Sequence, residues 1–302
     1  MKFSVIIPTY KRLDLLKAAV DSVHKQTYQH FEIIIVNDNP DDKEAIDSCF
    51  SGVLKTKVIH HSEARGGNAA RNSGILSATG DLIAFLDDDD HWLPAKLQTH
   101  LKVHQKHPDA GLVFSDCLYV YNNPFKKNHS TSYHTIGNVL ESMAQAKFCP
   151  ATSSMVTINR QCLEKCGLFD VGLISFQDWD YWFRIAHHFS FVYIPVVLVH
   201  FNQHLIDRTS QNEHKRQAGI RQICKKWGSE IDTEKFTRLY TRNMYYKNSF
   251  NALMAGQGLF AIRKGLKLFS REVISVKSVS SFFGIVSMFL IQKLKSPFSA
   301  MS

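Results

Sequence analysis

The chain has 302 residues, 44% of them hydrophobic, and a formal net charge of +9. That length and apolar share exclude a disordered or fibrous protein and allow one large globular domain with an appendage, or two small domains. Six cysteines stand at 49, 117, 149, 162, 166 and 224. Only Cys162 and Cys166 are close, and no second pair completes a zinc site, so they read as reduced thiols of a cytosolic protein.

The first apolar run, Phe3-Ser4-Val5-Ile6-Ile7, begins without a charged leader, long apolar stretch or cleavage site, which predicts a protein that is not exported. Val- and Ile-rich runs then alternate with helical patterns. Strands are predicted near 3–8, 31–37, 56–60, 81–87 and 110–121, and helices near 12–26, 41–50, 67–78 and 94–106. This alternation predicts crossover units and a mostly parallel sheet flanked by helices. Ligands of such sheets bind beyond the carboxyl ends of the strands, and the polar clusters Pro8-Thr9-Tyr10, Asn37-Asp38-Asn39 and Asp87 to Asp90 all fall there. The Asn-, Lys- and His-rich stretch 122–136 reads as a loop or lid. A strand near 152–158, a helix near 178–189 and strands near 191–194 and 196–201 follow. After about 210 the pattern is helical and basic, including Lys215, Arg216, Arg221, Lys225, Lys226, Arg263, Lys264, Lys267 and Arg271.

Four consecutive aspartates behind Leu82-Ile83-Ala84-Phe85-Leu86 are the most informative feature. Gathering like charges at the end of a buried strand costs several kcal/mol unless a cation or solvent compensates. Oxygen-only ligands favour Mg²⁺ or Mn²⁺, which bridge carboxylates to phosphates. The competing reading is a solvated acidic turn before the helix near Pro94. Ala64-Arg65-Gly66-Gly67-Asn68-Ala69-Ala70-Arg71-Asn72-Ser73-Gly74 joins a strand to a helix with small residues and two guanidinium groups suited to phosphate oxygens. It matches neither the P-loop nor the dinucleotide fingerprint.

Five segments together resemble the inverting family 2 glycosyltransferases of GT-A fold, over about residues 1 to 205. They are Ser4 to Arg12, Glu32 to Asp38, Gly67 to Gly74, Gly80 to Trp92, and Gln177-Asp178-Trp179-Asp180-Tyr181-Trp182-Phe183-Arg184. The resemblance implies a GT-A domain over 1–208, with a nucleotide-binding half at about 1–121 and an acceptor half at about 137–208. A basic helical region over 209–302 completes the chain. It implies that Pro8, Thr9 and Tyr10 line the nucleotide site, that Asp38 receives the base, and that Arg71 contacts base or diphosphate. Asp87 and Asp89 form the D-x-D pair, with Asp89 on the metal, Asp87 near the ribose or the metal's waters, and Asp88 among the nucleotide contacts. Asp88 and Asp90 form a second possible frame. Asp178 takes the place of the general base, with Gln177 where Glu is more usual and Asp180 as competitor. His204 is implied to reach metal or diphosphate, followed by Arg208 and Ser210, with His200 as the alternative. Trp92 is expected to pack.

The implied activity is metal-dependent transfer of a sugar from a nucleoside-diphosphate donor, UDP foremost, to a hydroxyl of a carbohydrate or lipid-linked glycan in surface-polysaccharide synthesis. The cofactor is Mn²⁺ or Mg²⁺. Single transfers are expected, since Q-x-x-R-W and a set of membrane-spanning helices are absent from the sequence. The apolar stretch Phe282 to Ile291, flanked by Lys277, Lys293 and Lys295, is too short to cross a bilayer. It suits either a membrane interface or a buried helix, so a cytoplasmic, peripherally membrane-bound enzyme is expected. The rivals are a sugar nucleotidyltransferase and a non-enzymatic nucleic-acid binder, the latter without any recognised module.

Overall fold

The computed structural model describes residues 1–121, 127–129, 136–149, 152–203, 212–254, 257–269 and 276–295. Most of the expected lid at 122–136, and His204, Arg208 and Ser210, lie outside the described residues.

The chain forms two compact units. The first comprises Met1–Met143, Lys147–Leu173 and Gln177–Gln203. Its early elements are β1 (Phe3–Thr9), α1 (Leu13–His24), β2 (Phe31–Asn37), α2 (Lys43–Phe50), β3 (Thr56–His60), α3 (Gly67–Ser77), β4 (Leu82–Phe85), β5 (His91–Trp92) and α4 (Lys96–Lys106). Then come β6 (Ala110–Tyr121), β7 (Lys127–His129), β8 (Ile136–Gly137), α5 (Leu140–Ala144), β9 (Val156–Asn159), α6 (Gln161–Cys166), α7 (Gln177–Ala186) and β10 (Ser190–Gln203). The strands lie in the order β3-β2-β1-β4-β9-β6-β10-β5, with β7 on β6 and β8 on β10.

Strands β3, β2, β1 and β4 pair in parallel, as crossover connections require. Their apolar runs are nearly continuous because both faces are covered. Phe3, Val5 and Ile7 pack with Leu16 and Val20 of α1, while Phe85 meets Phe169 and Trp182 at ring centroids of 5.4 and 6.3 Å. Beyond β4 the sheet becomes mixed, with β6 and β10 still paired in parallel. Strand β9 runs antiparallel to both β4 and β6, and the short β5, β7 and β8 are antiparallel too. Alternating apolar runs announce strands but not their direction.

Two boundary expectations change for local reasons. The two strands expected at 191–194 and 196–201 are one, β10, whose register with β6 shifts between Ile194 and Val199. Pro195 has no N–H to give the ladder, so the strand bulges there rather than ending. The strand expected from 152 starts only at Val156. Ser153–Met155 form a 3-10 turn instead, fully buried, and that turn proves central to the site.

The second unit comprises Ala144–Ala146, Ile174–Phe176 and His204–Ser302. It contains α8 (Glu213–Trp227), α9 (Thr233–Met254), α10 (Gly258–Gly265), a 3-10 turn at Leu266–Phe269 and α11 (Val276–Lys295). Met244, Tyr245, Leu253, Ala261, Leu268 and Ile285 form its core. Glu213 ties Lys264 and Lys267 at 2.6 and 2.5 Å, and Arg216 lies 3.5 Å over the Phe176 ring. Among the described residues no helix is long and apolar enough to cross a membrane.

Candidate active site

Parallel pairing aligns Thr9 with Asn37, and Ile6 with Phe85, so the residues after β1, β2 and β4 emerge at one edge. Helix α3 is seated on this edge through Gly74. A Cβ there would meet Ile6 Cγ2 at 2.3 Å, so a larger residue would lift the helix off β1. That close seating brings Arg71, nearly one turn earlier, to the aspartates.

The four aspartates have different environments. Asp87 accepts from Arg71 Nη2 at 2.6 Å, while its backbone N–H donates to Ser154 Oγ at 3.0 Å. Asp88 is buried, accepts from Thr9 Oγ1 at 2.8 Å, and pairs with Arg12 Nη2 at 3.0 Å. Burial pushes its carboxyl up to about 7, with Arg12 and Thr9 pulling only partly the other way. Asp89 pairs with Arg12 Nη1 at 2.9 Å, and its carbonyl accepts from Asn202 Nδ2 at 2.6 Å. Asp90 accepts from Ser154 Oγ at 2.5 Å and from the Asn202 backbone N–H at 3.1 Å.

Carboxylate oxygens of Asp87, Asp89 and Asp90 lie within 4.8 Å of one another. Three hard oxygen donors at that spacing fit Mg²⁺ or Mn²⁺ and suit zinc or copper poorly. The grouping crosses the two frames the sequence left open: Asp87 and Asp89 belong together, Asp90 joins them, and Asp88 is turned to Thr9 and Arg12. Among the described residues no histidine belongs to the group. His200 pairs in register with His91, their rings stacked at 6.1 Å.

Asp178 enters from the start of α7. Phe176 just before it takes a left-handed backbone, φ 65°, a strained turn that begins the helix at Gln177. Ser153 Oγ donates to Asp178 Oδ1 at 2.9 Å. Burial raises the Asp178 carboxyl above its ordinary range, Arg71 opposes that shift, and Asp87 adds to it. Arg71 therefore lies in the fields of both Asp87 and Asp178, and burial weakens its guanidinium less than the aspartates strengthen it. Its Nε has no hydrogen-bond partner among the described residues, which leaves a donor for an anionic ligand. Asp180 differs: it is wholly buried and paired with Arg184 at 3.1 Å, a brace within α7.

Asp38 is heavily committed inside the protein. Its Oδ1 meets His61 Nδ1 at 2.7 Å and accepts from the Arg65 N–H at 2.9 Å, while Oδ2 accepts from the Gly66 N–H at 2.7 Å. It shapes the loop leading into α3. Its own N–H donates to Thr9 O at 2.9 Å, which joins that loop to the end of β1. Tyr10 is exposed and Pro8 half-buried beside it. Trp92 is packed, 1% exposed, with Nε1 donating to Ser154 O at 2.9 Å.

Arg12, Ser153, Ser154, His61 and Asn202 carry contacts to which the sequence reading assigned no role. Arg12 was visible as the cation three residues after Thr9. The serines and Asn202 lie on distant segments with no local pattern to mark them.

Known proteins resemble this chain in sequence and in fold. Residues 4–166 match the family Glycosyl transferase family 2. The uncharacterized glycosyltransferase YwdF of Bacillus subtilis (strain 168) is 28% identical over 246 residues, covering 79% of this chain and 89% of the relative. The amylovoran biosynthesis glycosyltransferase AmsB of Erwinia amylovora is 28% identical over 229 residues, covering 72% and 74%. Residues 1–349 of S. aureus TarS, crystallised with UDP-GlcNAc, share the fold at TM-score 0.60 and 17% identity, over 96% of this chain and 80% of that one. The mannosyltransferase PcManGT of Pyrobaculum calidifontis, in complex with GDP-Man and Mn²⁺, does so at TM-score 0.60 and 17% identity, over 97% and 87%. With more than half its length matched and an α/β sheet of GT-A type carrying its aspartates at one strand edge, the chain belongs to glycosyl transferase family 2 and is a glycosyl-transferring enzyme.

Proposed function

We propose that the protein transfers a sugar, with inversion and with the help of a divalent cation, from a nucleoside-diphosphate donor to a hydroxyl of a carbohydrate or lipid-linked glycan acceptor in surface-polysaccharide synthesis. UDP is the leading nucleotide. The observation that carries this reading is the convergence of Asp87, Asp89 and Asp90 with Asp178 around one half-buried arginine, Arg71.

In this reading Asp87, Asp89 and Asp90 hold Mn²⁺ or Mg²⁺, with His204 as a further contact. Such a cation neutralises charge on the departing diphosphate without proton transfer. Pro8, Thr9 and Tyr10 line the nucleotide, and Arg71 offers its free Nε–H to base or diphosphate. Asp88 orders Thr9 and Arg12. Asp38 supports the nucleotide through the 61–66 loop as well as by any contact of its own with the base. Asp178 accepts the acceptor hydroxyl's proton as that oxygen attacks the anomeric carbon and the bond to the diphosphate breaks. Ser153 holds its carboxylate, and burial raises its basicity. The nucleotide half is assigned to about 1–121, the acceptor half to about 137–208, and a separate region to 209–302.

Slow donor hydrolysis tests this without knowledge of the acceptor. With Mn²⁺ or Mg²⁺ present, one of a panel of UDP-, GDP- and dTDP-sugars should release its nucleoside diphosphate, and EDTA should stop the release. No turnover or binding across the panel would overturn the reading. Diphosphate release from a nucleoside triphosphate and a sugar 1-phosphate would point to a nucleotidyltransferase instead.

The C-terminal unit supports peripheral docking on an anionic membrane. On α10 and the following turn, Gly258, Ala261, Gly265 and Leu268 face inward, while Leu259 (79% exposed), Phe260, Arg263, Leu266, Lys267 and Phe269 are exposed. Apolar anchors interleaved with cations, of which Lys267 is paired with Glu213, suit an anionic headgroup region. The protein should co-sediment with phosphatidylglycerol vesicles, and less so in high salt or without the anionic lipid. Leu259→Glu with Leu266→Glu should abolish the binding while leaving donor hydrolysis intact. Equal sedimentation of this variant and the native chain would sink the docking face.

A further inference from the structure

One polar group in the core has no part in the chemistry above. Lys96, on the first turn of α4, is wholly buried, and no carboxylate among the described residues pairs with it. Its amine donates to Met155 O at 3.1 Å and meets His100 Nε2 at 3.1 Å, 5.2 Å from the Trp92 ring centroid. His100 Nδ1 contacts Thr157 Oγ1 at 2.9 Å, and His104 Nε2 reaches the same hydroxyl at 2.9 Å. Lys96, His100, His104 and Thr157 are each no more than 2% exposed. Cys117 lies near the amine, and burial pushes its thiol up to about 12.

Burying an amine costs several kcal/mol, and a Leu or Met would fill the same volume without that cost. Desolvation holds Lys96 well below the usual lysine range, which shifts the amine toward its neutral form with a lone pair. A consistent chain of bonds then exists: His104 to Thr157, Thr157 to His100, His100 to Lys96, Lys96 to the Met155 carbonyl. The last link ends on the Ser153–Met155 turn.

That turn is gripped from below at two successive carbonyls, Ser154 O by Trp92 and Met155 O by Lys96. From above, its two hydroxyls reach the site. Ser153 donates to Asp178, and Ser154 donates to Asp90 while accepting from the Asp87 N–H. We propose that Lys96 is a positioning residue: its buried amine clamps Met155 O and so sets the turn whose hydroxyls orient Asp87, Asp90 and Asp178. This rests on the reading of those aspartates as the metal group and base. Lys96 touches neither substrate nor metal and acts through Ser154.

The test is a double-mutant cycle of Lys96→Met and Ser154→Ala on the full chain. Its readouts are Mn²⁺ affinity without donor, measured by the spin resonance of free Mn²⁺, and urea unfolding. Lys96→Met should weaken Mn²⁺ about tenfold, as loss of outer partners of metal ligands does, while its unfolding midpoint holds or rises. The double variant should weaken Mn²⁺ no further than Ser154→Ala alone. Additive losses, or unchanged Mn²⁺ affinity in Lys96→Met, would overturn the proposal. Should the native chain bind no Mn²⁺, the metal reading fails separately, and additivity of the two variants in urea unfolding would still overturn the coupling. Thr157→Val, which cuts the chain further back, should shift Mn²⁺ affinity in the same direction, and it serves if Lys96→Met does not fold.

Discussion

Asp178→Asn should lower sugar transfer about 10³-fold, within the range for loss of a general base, while Mn²⁺ and donor affinities stay within a few-fold. Asn keeps the shape and the oxygen that accepts from Ser153 Oγ, so the turn at 153–155 is retained. What is lost is the carboxylate that takes the proton. The pH profile supplies a second signature. A base works deprotonated, so the native rate should rise with pH through the Asp178 pKa and level off above it. Burial and Asp87 raise that pKa against Arg71, so the rising limb should lie above the range of an ordinary aspartate. Asp178→Asn should lose this limb altogether. More than a tenth of native activity, or an unmoved limb, would remove Asp178 from the role. Asp180→Asn should behave differently, since it breaks the buried pair with Arg184 and should act through stability.

Asp89→Ala should abolish metal-dependent donor hydrolysis, with a loss of about 10³-fold or more, because a cation clamp supplies several kcal/mol of charge stabilisation. The variant removes one of three carboxylates that lie within 4.8 Å of one another and frees the Arg12 Nη1 that Asp89 holds. Mn²⁺ affinity should fall in parallel, and raising Mn²⁺ concentration should restore part of the rate. Asp88→Asn provides the contrast. Its carboxylate faces Thr9 and Arg12, so the change should weaken nucleotide binding more than metal binding. Equal Mn²⁺ affinity for Asp89→Ala and the native chain would mean that these carboxylates are a self-contained ion-pair network with Arg12 and Arg71.

Much of the site was legible because its parts sit at ends of local elements. Thr9 ends β1, Asp38 follows β2, Arg71 lies on the helix after β3, and the aspartates follow β4. A parallel sheet brings those ends to one edge whatever the side-chain detail. The division of labour among the four aspartates was not legible. Adjacent carboxylates point in different directions once the chain leaves the strand, and partners 64 to 112 residues away choose which turn toward the metal group: Thr9, Arg12, Ser154 and Asn202.

By itself, then, the sequence determined the alternating α/β order, the acidic strand end and the family, because apolar periodicity and contiguous motifs are local properties of the chain. Only the tertiary structure decided the antiparallel pairings of β9 and the short strands, the internal commitment of Asp38, and the turn at Ser153–Met155 with buried Lys96 beneath it. Those depend on which distant segments share a core, where a hydrogen bond or an ion pair is strong because water is excluded. No window of the sequence contains both partners.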